Sequence, residues 1–159
     1  MPAAMLRKVI EAPEGGEIEV WGDGTQTRSF LYVGDCVDAV LALMKSEFTG
    51  PVNIGSEEMV SINQLAAMAI ELSGKNLRIR NLQGEAFFKK YGFPCPLGVM
   101  GRNSDNRLYE QKVGKTNFSP LIKGLTETFH WIEKQVVFET SLTAYSTTLS
   151  LIGILRTSC

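Results

Sequence analysis

Trp21-Gly22-Asp23-Gly24-Thr25-Gln26-Thr27-Arg28-Ser29-Phe30-Leu31-Tyr32-Val33-Gly34-Asp35-Cys36-Val37-Asp38-Ala39 is the stretch that decides the fold class. Ile18, Val20 and Trp21 lead into it as the end of a strand, and Gly22-Asp23-Gly24 supplies a tight turn. Phe30 to Val33 reads as a second short strand. Asp35 is then placed to cap a helix whose apolar face is Val37, Val40, Leu41 and Met44. Strand, turn, strand and helix in so short a span predict an α/β fold.

The flanks extend this pattern. Upstream, residues 3–12 read as a helix after Pro2, ended by Pro13 and Gly15-Gly16. Downstream, Val52-Asn53-Ile54 reads as a short strand. Ser61 can cap the next helix, with Gln64 at the capping-box spacing, an apolar stripe of Ile62, Leu65, Ala66, Ala69, Ile70 and Leu72, and Gly74 as its stop. Leu77 to Leu82 alternates as a half-buried strand does. Gln83 to Met100 is read as a loop with one helical turn at Ala86–Tyr91. Ser104 or Asp105 can cap a helix through Val113, and Leu121, Leu125, Phe129 and Ile132 mark a last helix. The expectation is a small mixed sheet with several helices over residues 1–136. Residues 137–159, rich in Ser and Thr and without a helical stripe, are expected to form a poorly ordered tail.

Composition narrows the function classes. The chain has 159 residues, 44% hydrophobic, with a formal net charge of −1 and no basic block, so nothing supports a nucleic-acid partner. An anionic small molecule needs only a few local cations. Cys36, Cys95 and Cys159 are odd in number and lack metal-ligand spacing, and the single His130 has no Cys or His nearby, so reduced thiols and no metal site are expected. The N-terminal residues lack the h-region of a secretory signal, and Leu149–Leu155 is far shorter than the roughly 20 residues of a membrane span. A cytoplasmic protein is the expectation.

Two segments carry candidate chemistry. Gln26, Thr27 and Arg28 present an amide, a hydroxyl and a guanidinium in succession, a set able to bind ribose hydroxyls and phosphate oxygens. The alternative is a hairpin with a solvated polar tip. In Gly98–Asn106, Arg102 precedes a helix start, where free N–H groups also favour an anion. The alternative there is a cap in which Arg102 pairs with Asp105. Lys8, beside Arg7 on the first helix, is a third candidate, with a solvated helix face as its alternative. No Gly-x-Gly-x-x-Gly, P-loop or Tyr-x-x-x-Lys is present, and no nucleophile–base set is visible, so no catalytic residue is expected.

At these residues the sequence resembles the extended short-chain dehydrogenase/reductases, the NAD-dependent epimerase/dehydratase family. Arg28 to Ala39 is similar to its R-x-F-x-Y-V-x-D-x-V-x-A segment, and Asn53-Ile54-Gly55-Ser56 followed by Ser61-Ile62-Asn63-Gln64-Leu65-Ala66 to its N-I-G-S … S-I-x-E-L-A. Arg102, Asp105 and Gly114 resemble its closing R-x-x-D … K-x-x-G. Within the family the narrower likeness is to members acting on GDP-mannose, through Trp21–Gly24, Gln26–Phe30, Glu58–Ser61 and Gly101–Asn106.

The resemblance implies the C-terminal substrate-binding lobe of such an enzyme, with the Rossmann half absent. In the intact enzyme NAD would oxidise C4 of the GDP-hexose, an acid/base pair would invert C3 and C5, and NADH would return the hydride. Of that pair, the cysteine belongs to the absent half, and the lysine falls just before Pro2-Ala3-Ala4, where this chain has Met1. The isolated chain is thus expected to be inactive and to bind no NAD. Lys8, Gln26, Thr27, Arg28 and Arg102 match positions used for GDP-mannose or a related nucleotide-sugar; the intact enzymes form homodimers. The alternatives are a non-catalytic nucleotide-sugar-binding or partner-subunit module, or part of another epimerase or dehydratase. Met100 departs from an arginine, Lys115 from an aromatic residue, and the Gln83–Leu97 loop is longer than in the plant proteins. The helix carrying Val37, Val40, Leu41 and Met44 is expected to lack part of its covering in this chain.

Overall fold

The computed structural model describes residues 1–96 and 98–156, with side chains through Phe138. The order is α1 (Pro2–Glu11), β1 (Glu17–Trp21), β2 (Thr27–Ser29), α2 (Val33–Lys45), β3 (Met59–Ser61), α3 (Ile62–Ser73), β4 (Arg78–Leu82), α4 (Gly84–Tyr91), β5 (Gly101–Arg102), α5 (Arg107–Lys112) and α6 (Leu121–Arg156). The α/β class holds, but the strands form two small sheets. β1 pairs with β4 in parallel; β2 lies between β3, antiparallel, and β5, parallel. The two strands around Gly22–Gly24 are therefore not a hairpin. The turn hands the chain from one sheet to the other, with Gly22 and Gly24 at φ 79 and 70.

The core lies where α1, α3 and α6 meet the inner face of β1. Leu6 and Val9 from α1, Ile18 and Val20 from β1, Leu65, Ala66 and Ala69 from α3, and Leu125, Phe129 and Ile132 from α6 are all buried in one cluster. Two end-caps fix this packing. Ser61 Oγ accepts from Gln64 N at 3.0 Å while Ser61 N donates to Gln64 Oε1 at 2.7 Å, the expected capping box, and Gly74 closes α3 in the left-handed conformation. The end of α1 is closed from a distance: Lys75 Nζ donates to the carbonyls of Val9, Ile10 and Ala12 at 3.1, 2.5 and 2.8 Å.

Several boundaries differ from expectation. The strand expected over Phe30–Val33 lies instead at Thr27–Ser29, because β3 and β5 are short and a ladder exists only where a partner runs alongside. α2 begins at Val33 with Tyr32 as N-cap. Asp35 is taken by a tertiary contact, accepting from Ser119 N at 2.7 Å and Ser119 Oγ at 3.3 Å. Val52–Ile54 forms no strand, since a neighbouring asparagine side chain meets the backbone at Gly55 in place of a ladder. α5 starts after Asn106, not Ser104 or Asp105, and the helical turn in the 83–100 loop is a complete short helix, α4. The last helix does not end near residue 136 but continues to Arg156. No proline follows Pro120, and Gly153 is the sole glycine beyond Gly124, so nothing in residues 125–152 breaks a helix. Among the described residues, no helix is long and apolar enough to cross a membrane.

Candidate functional site

The two expected arginines come together. Arg28 and Arg102 are register partners in the parallel β2–β5 ladder, as are Thr27 and Gly101. Partners in adjacent strands point to the same face and stand about 4.8 Å apart at the backbone. The ladder is extended by Thr27 N donating to Met100 O at 2.8 Å. Arg28 Nη1 donates to Thr27 O at 2.6 Å, and the Arg102 guanidinium has no hydrogen-bond or ion-pair partner among the described residues. Asp105 does not neutralise it: its carboxylate binds Arg107, with Nη2 to Oδ2 at 2.5 Å, and this holds its pKa down at about 2. The pair lines a cleft of about 420 Å³ with Val52, Asn53, Asn103 and Ser104.

One buried side chain ties together the two loops that line that cleft. Asn106 Nδ2 donates to Gly55 O at 2.5 Å, while its Oδ1 accepts from Gly55 N at 3.2 Å and Ser104 Oγ at 2.8 Å. Asn53 Nδ2 reaches Asp105 O at 3.3 Å. A Cβ at Gly55 would lie 2.6 Å from Ser104 Cβ, so only glycine allows the two loops this close. Sequence reading found Asn106 only as part of a motif; its Asx side chain ahead of a helix was the available signal.

Gln26 and Met100 precede the arginines by two residues each, just ahead of β2 and β5. They line a second cleft of about 470 Å³, with Gly22, Gln83, Glu85, Phe88 and Pro94. α4 forms its far wall and is clamped to β1. Glu19 accepts from Lys90 Nζ at 2.5 Å, from Tyr91 OH and from Trp21 Nε1 at 3.3 Å. Burial alone would raise the Glu19 pKa, but the hydrogen bonds of Lys90, Tyr91 and Trp21 and the Lys90 charge outweigh it and hold the carboxyl below its ordinary value. Beneath the clamp, Phe87 is fully buried against Trp21, Tyr91 and Phe93, with ring centroids 5.1, 4.7 and 5.5 Å away.

Of the other candidates, Thr27 sits in β2 with its Oγ1 3.4 Å from Met100 O. Lys8 is exposed on α1 and donates to Glu19 O at 3.2 Å, on the β1 side of the molecule and not in the arginine cleft. Cys36 and Cys95 are free thiols; Cys159 lies outside the described residues. His130 is an exposed residue near Glu133, at 3.7 Å.

Comparison with known proteins gives a family resemblance. The NAD dependent epimerase/dehydratase family matches residues 1–55. GDP-mannose 3,5-epimerase of Arabidopsis thaliana is 44% identical over 135 residues, which are 85% of this chain and 32% of the relative. In fold, UDP-glucose 4-epimerase of Thermotoga maritima superposes with a TM-score of 0.66 at 24% identity, over 85% of this chain and 40% of that one. UDP-glucuronic acid 4-epimerase of Bacillus cereus, solved with UDP-glucuronic acid and NAD, gives 0.67 at 23% identity, over 86% and 40%. The chain thus spans about a third of the length of the curated relatives it matches. By sequence the chain is similar to members of the NAD dependent epimerase/dehydratase family, whose model matches residues 1–55, and by fold it is similar to part of the solved epimerases.

Proposed function

We propose that residues 1–136 are the nucleotide-sugar-binding part of a GDP-mannose 3,5-epimerase-like enzyme of the cytoplasm. The observation that carries this reading is the register pairing of Arg28 with Arg102. Two cations on one sheet face repel one another unless an anion lies between them, and a diphosphate offers each a charge-assisted hydrogen bond. In this reading the arginines grip the diphosphate, Gln26 and Thr27 meet the ribose, and Lys8 reaches the ligand from the exposed side of α1. Identity of 44% to a GDP-mannose 3,5-epimerase supports GDP-mannose, or a close relative of it, as the sugar.

NAD belongs, in this reading, to parts of the family fold outside these residues. The glycine turn after β1 runs into a strand, so its N–H groups do not open a helix as a dinucleotide turn does. The chain by itself is therefore proposed to bind substrate and not to turn it over. Calorimetry with GDP-mannose on the full chain and on Arg102→Ala tests the binding; equal affinity of the two proteins would sink the assignment. Conversion of GDP-mannose by the chain with added NAD would refute the proposed inactivity.

A further inference from the structure

Resting on the nucleotide-sugar reading above, we propose that α4 makes the cleft beside the arginine pair a guanine site, with Phe88 covering the face of the base and Glu85 reading its edge. The cleft and the arginine pair are neighbours along two chain segments, Gln26–Arg28 and Met100–Arg102. Gln26 and Met100 stand two residues before Arg28 and Arg102, so no more than about 7 Å of chain separates each from its arginine, a span that a ribose between base and diphosphate can bridge. The walls of the cleft are apolar, from Phe88, Pro94 and Met100, and its rim is polar, from Gln26, Gln83 and Glu85. Flat apolar walls with a few polar groups at the edge suit a planar heterocycle.

Glu85 and Phe88 are three residues apart on α4 and so share a helix face. α4 buries Phe87 completely yet leaves Phe88 53% exposed, with its ring at the cleft. The Glu19 clamp with Lys90 and Tyr91 holds the helix, so the wall is preformed. The Glu85 carboxylate has no hydrogen-bond or ion-pair partner among the described residues. Guanine presents a ring N–H and an amino group side by side, two donors that match the two oxygens of one carboxylate. Uracil presents one N–H between two carbonyls, which a carboxylate repels. Adenine places an acceptor beside its amino group. Of the common bases, guanine alone fits.

Calorimetry of the full chain with GDP, IDP and UDP tests this, because inosine keeps the ring N–H and lacks the amino group. GDP is expected to bind about tenfold more tightly than UDP, with IDP between them. Glu85→Gln should collapse that ratio to within about twofold, while Phe88→Ala should weaken every nucleotide alike by about tenfold, as loss of a stacking face does. Arg102→Ala should weaken GDP and UDP equally. If GDP binds in an Arg102-dependent way but Glu85→Gln leaves the GDP:UDP ratio unchanged, or if the wild-type chain does not prefer GDP, the guanine assignment is overturned and the nucleotide reading stands. If no nucleotide binds, both are overturned.

Discussion

Arg28 and Arg102 are direct register partners on one face of the β2–β5 ladder, with no acidic side chain bound to either among the described residues. Like charges in that relation cost about 0.2–1 kcal/mol, a cost relieved when an anion binds. Arg102→Ala is therefore expected to raise the stability of the free chain slightly at low salt, with the gain vanishing as salt screens the pair. The same change should lower affinity for a nucleoside diphosphate by about tenfold or more. Denaturant unfolding at two ionic strengths, with and without GDP, reads both effects. A variant less stable than wild type in both salts would show that Arg102 is structural.

Asn106 is only 2% exposed, and its side chain meets three partners on two loops. Asn106→Asp replaces the donor that faces Gly55 O with an acceptor, leaving a buried carbonyl opposed by a carboxylate. Destabilisation of about 2–3 kcal/mol is expected, with loss of nucleotide binding because Arg102 loses the loop tie that sets its strand. Urea unfolding curves with an unchanged midpoint would mean that the Gly55–Asn106 tie does not hold the site.

Much of this was legible from sequence, for reasons that are local. Ser61 with Gln64 and Gly74 delimits α3 because caps are read by residues within a few positions of one another, and the apolar period of α1, α3 and α6 places their faces in the core. The short strands were misplaced because a two- or three-residue ladder depends on a partner far along the chain: Thr27–Ser29 needs Met59–Ser61 and Gly101–Arg102. The candidate site was legible as residue types, Arg28 and Arg102, but their juxtaposition was not, since it is a register relation across seventy-odd residues. Glu85 and Phe88, of the proposed base cleft, were not legible at all. Nothing local distinguishes them from an ordinary surface helix; only the fold of α4 over the turn after β1 turns them toward a cleft.

The Glu19 clamp gives a pH-dependent prediction. Its carboxyl titrates below its ordinary value in the folded chain, and the unfolded value is about 4.3. The contribution of the clamp is thus complete above the unfolded value and is lost as pH falls through the folded one. Glu19→Gln should cost about 1–2 kcal/mol near pH 7, because the carboxylate takes bonds from Lys90, Tyr91 and Trp21 while only 19% exposed, and Lys90 itself is largely in solvent. The difference between the two proteins should shrink below about pH 4. Melting temperatures from pH 7 to 3 check it; a gap that stays constant across that range would show that packing of the residue, not its charge, holds α4 against β1.

The apolar face of α2 gives the last prediction. Val33, Val37, Leu41 and Met44 are 69%, 51%, 46% and 75% exposed, and Val40 is 40% exposed, so the stripe expected to lack part of its covering does lie open in this chain. Positions three or four apart on one helix make this a contiguous strip, and an exposed strip of large apolar side chains favours association over solvation. The isolated chain is therefore expected to self-associate with rising concentration. Leu41→Gln with Met44→Gln should suppress that association while leaving the melting temperature of dilute protein nearly unchanged, since neither side chain is in the buried core cluster. Sedimentation velocity over a hundredfold range of concentration, run on both proteins, decides the matter. A wild-type chain that stays monomeric throughout would mean that the strip is too narrow to drive contact, and the double variant would then have nothing to correct.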